Sequence, residues 1–316
     1  MGLELLTVGE TLVCLVAPDG RLDATRTLVK GIGGTESNTA IGLARLGRDV
    51  GWISRVGDDP FGDEIIRTVR GEGVDVAHVR RSADAPTGLM VRERRSLDEI
   101  HVHYYRRGSA ASFLDADDIP DEDVVAAARR VHVSGITLGL GPGPRAAVHR
   151  LLDIATANDV RVSFDPNFRR KLWTDDDAAA ACVGVLPRVD DLLANEDELL
   201  TMTGTAGLDD ALRAVEPYGI DSVVVKRGEL GAIGVDGGKR YELPPEPVVV
   251  VDTIGAGDAF NAGYLFGRLD EASFEACLRL GAWVASRVVA HPGDWEGLPD
   301  ARELRRWWNG EGVITR

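Results

Sequence analysis

Short β-rich runs at residues 5–9, 51–56, 131–134, 160–164, 191–194, 222–226 and 248–251 recur along the chain, with helical patterns between many of them. The stretches 61–70, 121–130, 144–158, 175–186, 208–218 and 274–290 have the apolar spacing and acidic first turns of crossover helices. This alternation predicts an α/β fold with a mostly parallel central sheet flanked by helices, and it puts ligands at the carboxyl ends of the strands. No low-complexity linker divides the chain and no repeat is visible, so residues 1–316 read as a single domain. Two regions break the alternation. Residues 11–30 and 87–107 read as hairpin-forming strands, with Pro18-Asp-Gly20 and Ser96-Leu-Asp-Glu99 as turns.

The run 248–251 leads directly into Asp252-Thr-Ile-Gly-Ala-Gly-Asp258, which precedes Ala259-Phe-Asn-Ala-Gly-Tyr-Leu-Phe. A glycine turn between a strand and a helix lets the amides of Gly255, Ala256 and Gly257 converge on one spot beside the positive end of the helix. Such an arrangement holds an anion. A carboxylate at the helix start, Asp258, would sit beside a transferred phosphoryl group and take the proton of an attacking hydroxyl. The other reading of these residues is a glycine turn with an Asp cap.

This string resembles the C-terminal signature of the ribokinase-like (PfkB) carbohydrate kinases, and Gly33-Gly34-Thr-Glu-Ser-Asn38-Thr-Ala40-Ile-Gly-Leu-Ala44-Arg-Leu46-Gly47 resembles their N-terminal signature. Between the two lie the family-like strings Val56-Gly57-Asp58-Asp59-Pro-Phe61-Gly62, Asp165-Pro-Asn167-Phe-Arg169, Asn195-Glu-Asp-Glu198 and Lys226-Arg-Gly228. The resemblance implies a three-layer ribokinase-like fold in which 11–30 and 87–107 form a small β-sheet lid over the sugar, with ATP and Mg2+ as cofactors. A projecting sheet has edges and an uncovered face, which makes a homodimer or higher oligomer through the lid the expected assembly.

The substrate side is narrowed by Tyr104-Tyr105-Arg106-Arg107-Gly-Ser109-Ala-Ala-Ser112, which resembles a segment of 2-keto-3-deoxygluconate kinases. An aldonic acid carries a carboxylate that must be paired when it leaves water, and a planar guanidinium does this best. The resemblance therefore gives Arg106 to the substrate carboxylate and sets Arg169 between substrate and nucleotide. Arg92, Arg94, Arg95, Arg106 and Arg107 taken singly could instead solvate an exposed strand pair. Met90 stands where those relatives tend to carry a Tyr, which removes one hydroxyl from the pocket that Tyr104 would share. Gly34, Asn38 and Asp294 are the other sugar candidates, with helix capping as the alternative for Asn38. Asn167, Asn195, Lys226, Gly228 and Gly231, with Gly255 and Gly257, are expected along the nucleotide, and Ala285 beside its base. Glu198 is expected to order magnesium through water, since magnesium keeps several waters and takes few carboxylates; a capped helix start is the alternative. The implied activity is phosphorylation of the terminal hydroxyl of 2-keto-3-deoxygluconate. A kinase of the same fold for fructose, ribose or another keto acid is the alternative, and a catalytically silent sugar-binding regulator is the alternative of a different class.

Charge and cysteine usage exclude other classes. With 36 Lys and Arg against 51 Asp and Glu, the net charge of −15 repels nucleic acid and anionic lipid heads. Cys14, Cys182 and Cys277 lie far apart without zinc spacing. No basic-then-apolar leader opens the chain and no apolar segment approaches the roughly 20 residues that span a bilayer, so a cytoplasmic enzyme without membrane contact is expected. No Gly-x-x-x-x-Gly-Lys-Ser/Thr occurs, and Gly31-Ile-Gly33-Gly34 lacks the third glycine of a dinucleotide loop.

Overall fold

Leu5 and Leu6, Leu192 and Leu193, and Val223 and Val224 are neighbours in sequence, yet each pair divides between two separate cores. Successive strand side chains point to opposite faces, so consecutive buried apolar residues mean a sheet covered on both sides. The computed structural model describes residues 2–18, 20–94 and 100–310. The N-terminal elements are β1 (Leu5–Val8), β2 (Leu12–Val16), β3 (Val29–Gly33), α1 (Thr35–Arg45), β4 (Val50–Gly57), α2 (Pro60–Gly71), β5 (Val79–Ser82), β6 (Leu89–Arg94) and β7 (Ile100–Tyr105). Next come α3 (Glu122–Ala126), β8 (Arg130–Ser134), α4 (Gly135–Gly139), α5 (Pro142–Ala157), β9 (Arg161–Asp165), α6 (Asp175–Val183), β10 (Asp191–Asn195), α7 (Glu196–Thr203) and α8 (Leu208–Val215). The chain continues with β11 (Ser222–Lys226), β12 (Ala232–Asp236), β13 (Lys239–Leu243), α9 (Ala256–Leu269), α10 (Phe274–Val289) and α11 (Ala301–Trp308).

Among the described residues the larger sheet has nine strands in the order β13-β12-β11-β10-β9-β8-β1-β4-β5. Pairings from β11 to β5 are parallel, and the β12–β13 hairpin adds antiparallel strands at one edge. Ile41 of α1, Ile65 of α2, Phe260 of α9 and Leu278 of α10 fill the core on one face; Leu151 of α5, Cys182 of α6, Leu199 of α7 and Ala211 of α8 fill the other. The three layers expected from the family resemblance are therefore present. β1 lies between β4 and β8, so the strand order reverses there and a crevice opens at the carboxyl ends of these strands.

A second sheet, ordered β3-β2-β6-β7, rises at that end, because β2 follows β1 after three residues and β6 follows β5. Leu12, Cys14 and Met90 form a small core on it. Its reverse face is better covered than a free lid predicts: Val13 and Ile32 join the large core, and Leu15 and Leu89 pack against it. The turn expected at 96–99 and Asp19 of the other turn lie outside the described residues.

Several expectations need correction. Residues 248–251 form no strand; Val249 is 83% exposed, and the segment is anchored by Val251 and Asp252 N–H groups donating to the Val289 carbonyl at 2.7 and 3.2 Å. β-branched residues favour extension, but two N–H groups converging on one carbonyl at the end of α10 do not make the alternating bonds of a ladder. The helix expected at 121–130 stops at Ala126 because Arg130 already pairs in β8 with Leu5 of β1. The helices expected at 175–186 and 208–218 end at Val183 and Val215 and pass into short 3-10 turns. β5, β12, β13, α4 and α11 are additional to the elements expected.

Candidate active site

Helix α9 starts behind Gly255, whose φ is 77° and whose Cβ would fall 1.9 Å from the Asp294 carbonyl oxygen, so only glycine fits this turn. The Ala256 N–H donates at 3.4 Å to the Thr253 carbonyl. Asp258 stands in the first helical turn, where the helix dipole favours its charge. It is buried, accepts the Thr35 hydroxyl at Oδ1, and accepts Asn38 Nδ2 at Oδ2 over 2.8 Å. Asn167 Nδ2 donates to Thr35 Oγ1 at 2.8 Å, so three residues from two segments orient one carboxylate. Burial pushes the Asp258 carboxyl above its usual range; the Thr35 and Asn38 hydrogen bonds oppose this, Asp165 adds repulsion, and the Arg169 guanidinium pulls it down. A carboxylate placed and tuned in this way can act as a general base.

Asn38 does not start α1, whose N-cap is Gly34; from inside the helix its Oδ1 accepts the Gly34 N–H at 3.4 Å while its Nδ2 holds Asp258. Gly34 itself is forced by close approach, since a Cβ there would meet the Glu10 carbonyl at 2.4 Å. Between Thr35 and Asn38, Glu36 turns under the crevice. Its Oε1 accepts the hydroxyls of Ser134 at the end of β8 and Thr137 of α4, while Oε2 has no partner among the described residues. Burial raises its carboxyl to about 7.

Across the glycine turn, Lys226 ends β11 with Nζ 2.7 Å from Asp165 Oδ2 and 3.2 Å from Asn261 Oδ1. It lies 3.7 Å from the place a Cβ on Gly257 would take, which brings the ammonium to the glycine turn. Gly228 opens a 3-10 turn after β11 and Gly231 closes it. Ala285 lies half-buried on α10 against the large core. Asn195 caps α7 by accepting the Glu198 N–H at 2.8 Å, and Glu198 returns the bond by accepting the Asn195 N–H at 2.9 Å. The other Glu198 oxygen accepts the Phe168 N–H at 3.0 Å, which ties the cap to the loop carrying Asn167 and Arg169. Burial, with repulsion from Asp165, raises Glu198 to about 7. Arg169 is exposed.

On the small sheet, Met90 pairs in register with Tyr104, and the Arg106 guanidinium lies 5.5 Å from the Tyr104 ring centre. Arg106 already has a partner: Nε and Nη2 approach Glu10 Oε2 at 2.7 and 2.6 Å, and Ser109 donates to the other Glu10 oxygen. Asp294 is buried, its Oδ1 3.0 Å from Arg92 Nη1. Burial raises Asp294 to about 7 against the pull of Arg92.

Glu10, Thr35, Glu36, Arg92, Asp165 and Asn261 were not singled out from sequence. Arg92 had a usable signal, since it follows Met90 by two positions and so shares its face. Glu10 had a weaker one, an acid placed directly after a buried strand. Among the described residues no group of three or more His, Cys, Asp or Glu could hold a metal, and no helix is long and apolar enough to cross a membrane.

Comparison with known proteins adds to this geometry. The pfkB family carbohydrate kinase pattern matches residues 3–301. The chain is 35% identical to the 2-dehydro-3-deoxygluconokinase of Bacillus subtilis (strain 168), covering 99% of this chain and 98% of that protein. It is 34% identical to the 2-dehydro-3-deoxygalactonokinase of Haloferax volcanii, covering 100% of each. The crystal structure of 2-dehydro-3-deoxygluconokinase from Thermotoga maritima superposes with a TM-score of 0.87 at 26% identity, over 97% of this chain and 98% of that one.

Proposed function

The chain belongs to the pfkB family of carbohydrate kinases, and from that premise we propose that it transfers the γ-phosphoryl group of ATP to the terminal hydroxyl of 2-keto-3-deoxygluconate. The observation that carries this reading is the buried Asp258 carboxylate, oriented by Thr35 and Asn38 at the first turn of α9. A silent sugar-binding protein has no use for a base held in this way. Likeness to a 2-dehydro-3-deoxygluconokinase over nearly the whole chain supports the sugar acid. The similar likeness to a 2-dehydro-3-deoxygalactonokinase favours a second reading, in which both epimers are accepted.

In this mechanism Asp258 takes the proton of the attacking hydroxyl, and the amides of the Gly255–Gly257 turn hold the phosphoryl charge with Lys226. Gly228, Gly231, Asn195, Asn167 and Arg169 line the nucleotide, with Ala285 beside the base. Magnesium supplies charge neutralisation on the phosphates, and Glu198 fits an ion held mostly by water, because both its oxygens already accept backbone N–H groups. Gly34, Asn38, Met90, Tyr104 and Asp294 shape the sugar pocket. Arg106 pairs the substrate carboxylate through the nitrogen that Glu10 leaves open, while Glu10 holds the fork in place. The small sheet closes over the sugar and excludes water. We place the reaction in the cytoplasm, where ATP is available and the three free, buried cysteines stay reduced. The assembly we propose is a homodimer through the small sheet.

An ADP-release screen over keto-deoxy sugar acids and neutral ketoses tests the substrate. Arg106 needs a gentle substitution: Ala would strand the buried Glu10 carboxylate and destabilise the fold. Arg106→Lys keeps that charge pair and removes the second prong, so kcat/KM for the sugar acid should fall at least ~10-fold while activity on neutral ketoses stays within a few-fold. Equal losses on both classes would make Arg106 structural.

A further inference from the structure

Arg92 follows Met90 by two positions on β6, so both side chains leave one face of the small sheet. Its side chain is 8% exposed, with Nη1 3.0 Å from Asp294 Oδ1 and Nη2 3.5 Å from Asp252 Oδ2. Asp252 opens the Asp252–Asp258 turn, and Asp294 lies against that turn from the segment after α10. Asp252 Oδ1 accepts the Ile254 N–H at 3.2 Å and so shapes the turn from within. The Asp294 backbone carbonyl backs Gly255, at 1.9 Å from the place a Cβ would take. The second Asp294 oxygen and Met90 Cε crowd the space in front of Gly33, 2.3 and 2.8 Å from a Cβ built there, inside the pocket assigned to the sugar. One guanidinium therefore touches the sugar-side acid and the turn-side acid from a strand that belongs to neither segment.

Stability alone gives little reason for this arrangement, since buried ion pairs are often no better than well-packed apolar residues. We propose that Arg92 is a positioning residue that couples sugar binding on the small sheet to nucleotide binding at the Asp252–Asp258 turn, which rests on the kinase reading above. A sugar that engages Asp294 and the Met90 face settles β6, and Arg92 then fixes Asp252 and the amides behind it. By linkage the nucleotide must favour the sugar to the same degree. The planar fork reaches two carboxylates at once; an ammonium reaches one.

The test compares the full-length protein with Arg92→Gln and Arg92→Lys. Without ligands, hydrogen–deuterium exchange of the 252–258 backbone should quicken at least ~5-fold in Arg92→Gln, ahead of any change in the core strands β8 to β10. In calorimetric titration, the non-hydrolysable analogue AMP-PNP with magnesium should bind at least ~5-fold tighter when 2-keto-3-deoxygluconate is present, and this factor should drop below ~2 in Arg92→Gln and only partly in Arg92→Lys. Unchanged exchange at the turn, or a coupling factor that survives in both variants, overturns the proposal. So does a wild-type protein that phosphorylates the sugar acid without any such coupling. A wild-type protein that phosphorylates no sugar acid defeats the substrate reading instead, and the ligand-free exchange result then decides for or against the tie. Should Arg92→Gln not fold, Arg92→Lys carries both measurements.

Discussion

Asp258 illustrates how much of a residue's chemistry lies in its neighbours. Its position at a helix start behind a glycine turn was readable from sequence, but the donors that aim it, Thr35 and Asn38, come from 220 or more positions away. Asp258→Asn keeps the volume and loses the proton acceptor, so kcat should fall at least ~10²-fold with sugar affinity nearly unchanged. Near-wild-type turnover would remove Asp258 as the base. Because burial raises this carboxyl, kcat/KM should climb with pH through a value above the ordinary carboxylate range. Glu36 gives a stability test. Its carboxyl is raised from 4.5 to about 7, so between those values the folded protein holds a proton that the unfolded chain has released, and stability falls as pH rises. Glu36→Gln keeps the acceptor for Ser134 and Thr137 without the charge. It should match wild type near pH 5 and exceed it above pH 7 by at most about 3 kcal/mol in urea melts. A difference that does not vary with pH would mean that Glu36 ionisation is not coupled to folding. Arg92 and Glu10 escaped the sequence reading because burial, not residue type, separates a paired arginine or acid from a solvated one.

At the scale of elements, periodicity located the crossover helices and parallel strands, and it failed where a partner was needed. Residues 248–251 have strand composition yet form no strand among the described residues, whereas β13 is highly charged and pairs with β12 beside it. The Asp236-Gly-Gly-Lys239 turn between those two strands is a hairpin signal that could have been read. The small sheet was expected on hairpin signals, but the packing of Val13 and Ile32 on the large core was not visible in them. Among the described residues β3 and β7 are the outer strands of this sheet; Tyr105 at the end of β7 is 64% exposed, and at the β3 edge the apolar Leu28 is 39% and Val29 59% exposed. Edge strands of this kind pair readily, and a charge placed there discourages it. Light scattering at micromolar concentration should give a dimer for wild type and mostly monomer for Val29→Lys. A wild-type monomer with full activity would dispose of the dimer.

For the whole molecule, the proposed magnesium would serve the reaction. No described cluster of ligands could hold an ion on its own. EDTA should therefore abolish turnover while the melting temperature of the ligand-free protein moves by less than about 1 °C, and a larger drop would reveal a structural site. Residue order alone determined the α/β alternation, the glycine turn, the family and the place of Asp258 at the start of a helix, because these depend on local periodicity and on short strings whose backbone needs are local. Tertiary structure alone decided which charges meet. Arg106 lies on Glu10 and Arg92 bridges Asp294 and Asp252, while Asn167 reaches Asp258 through Thr35. Those contacts join segments brought together by the reversal of strand order at β1 and by the small sheet above it, and no spacing along the chain encodes a distance across a crevice.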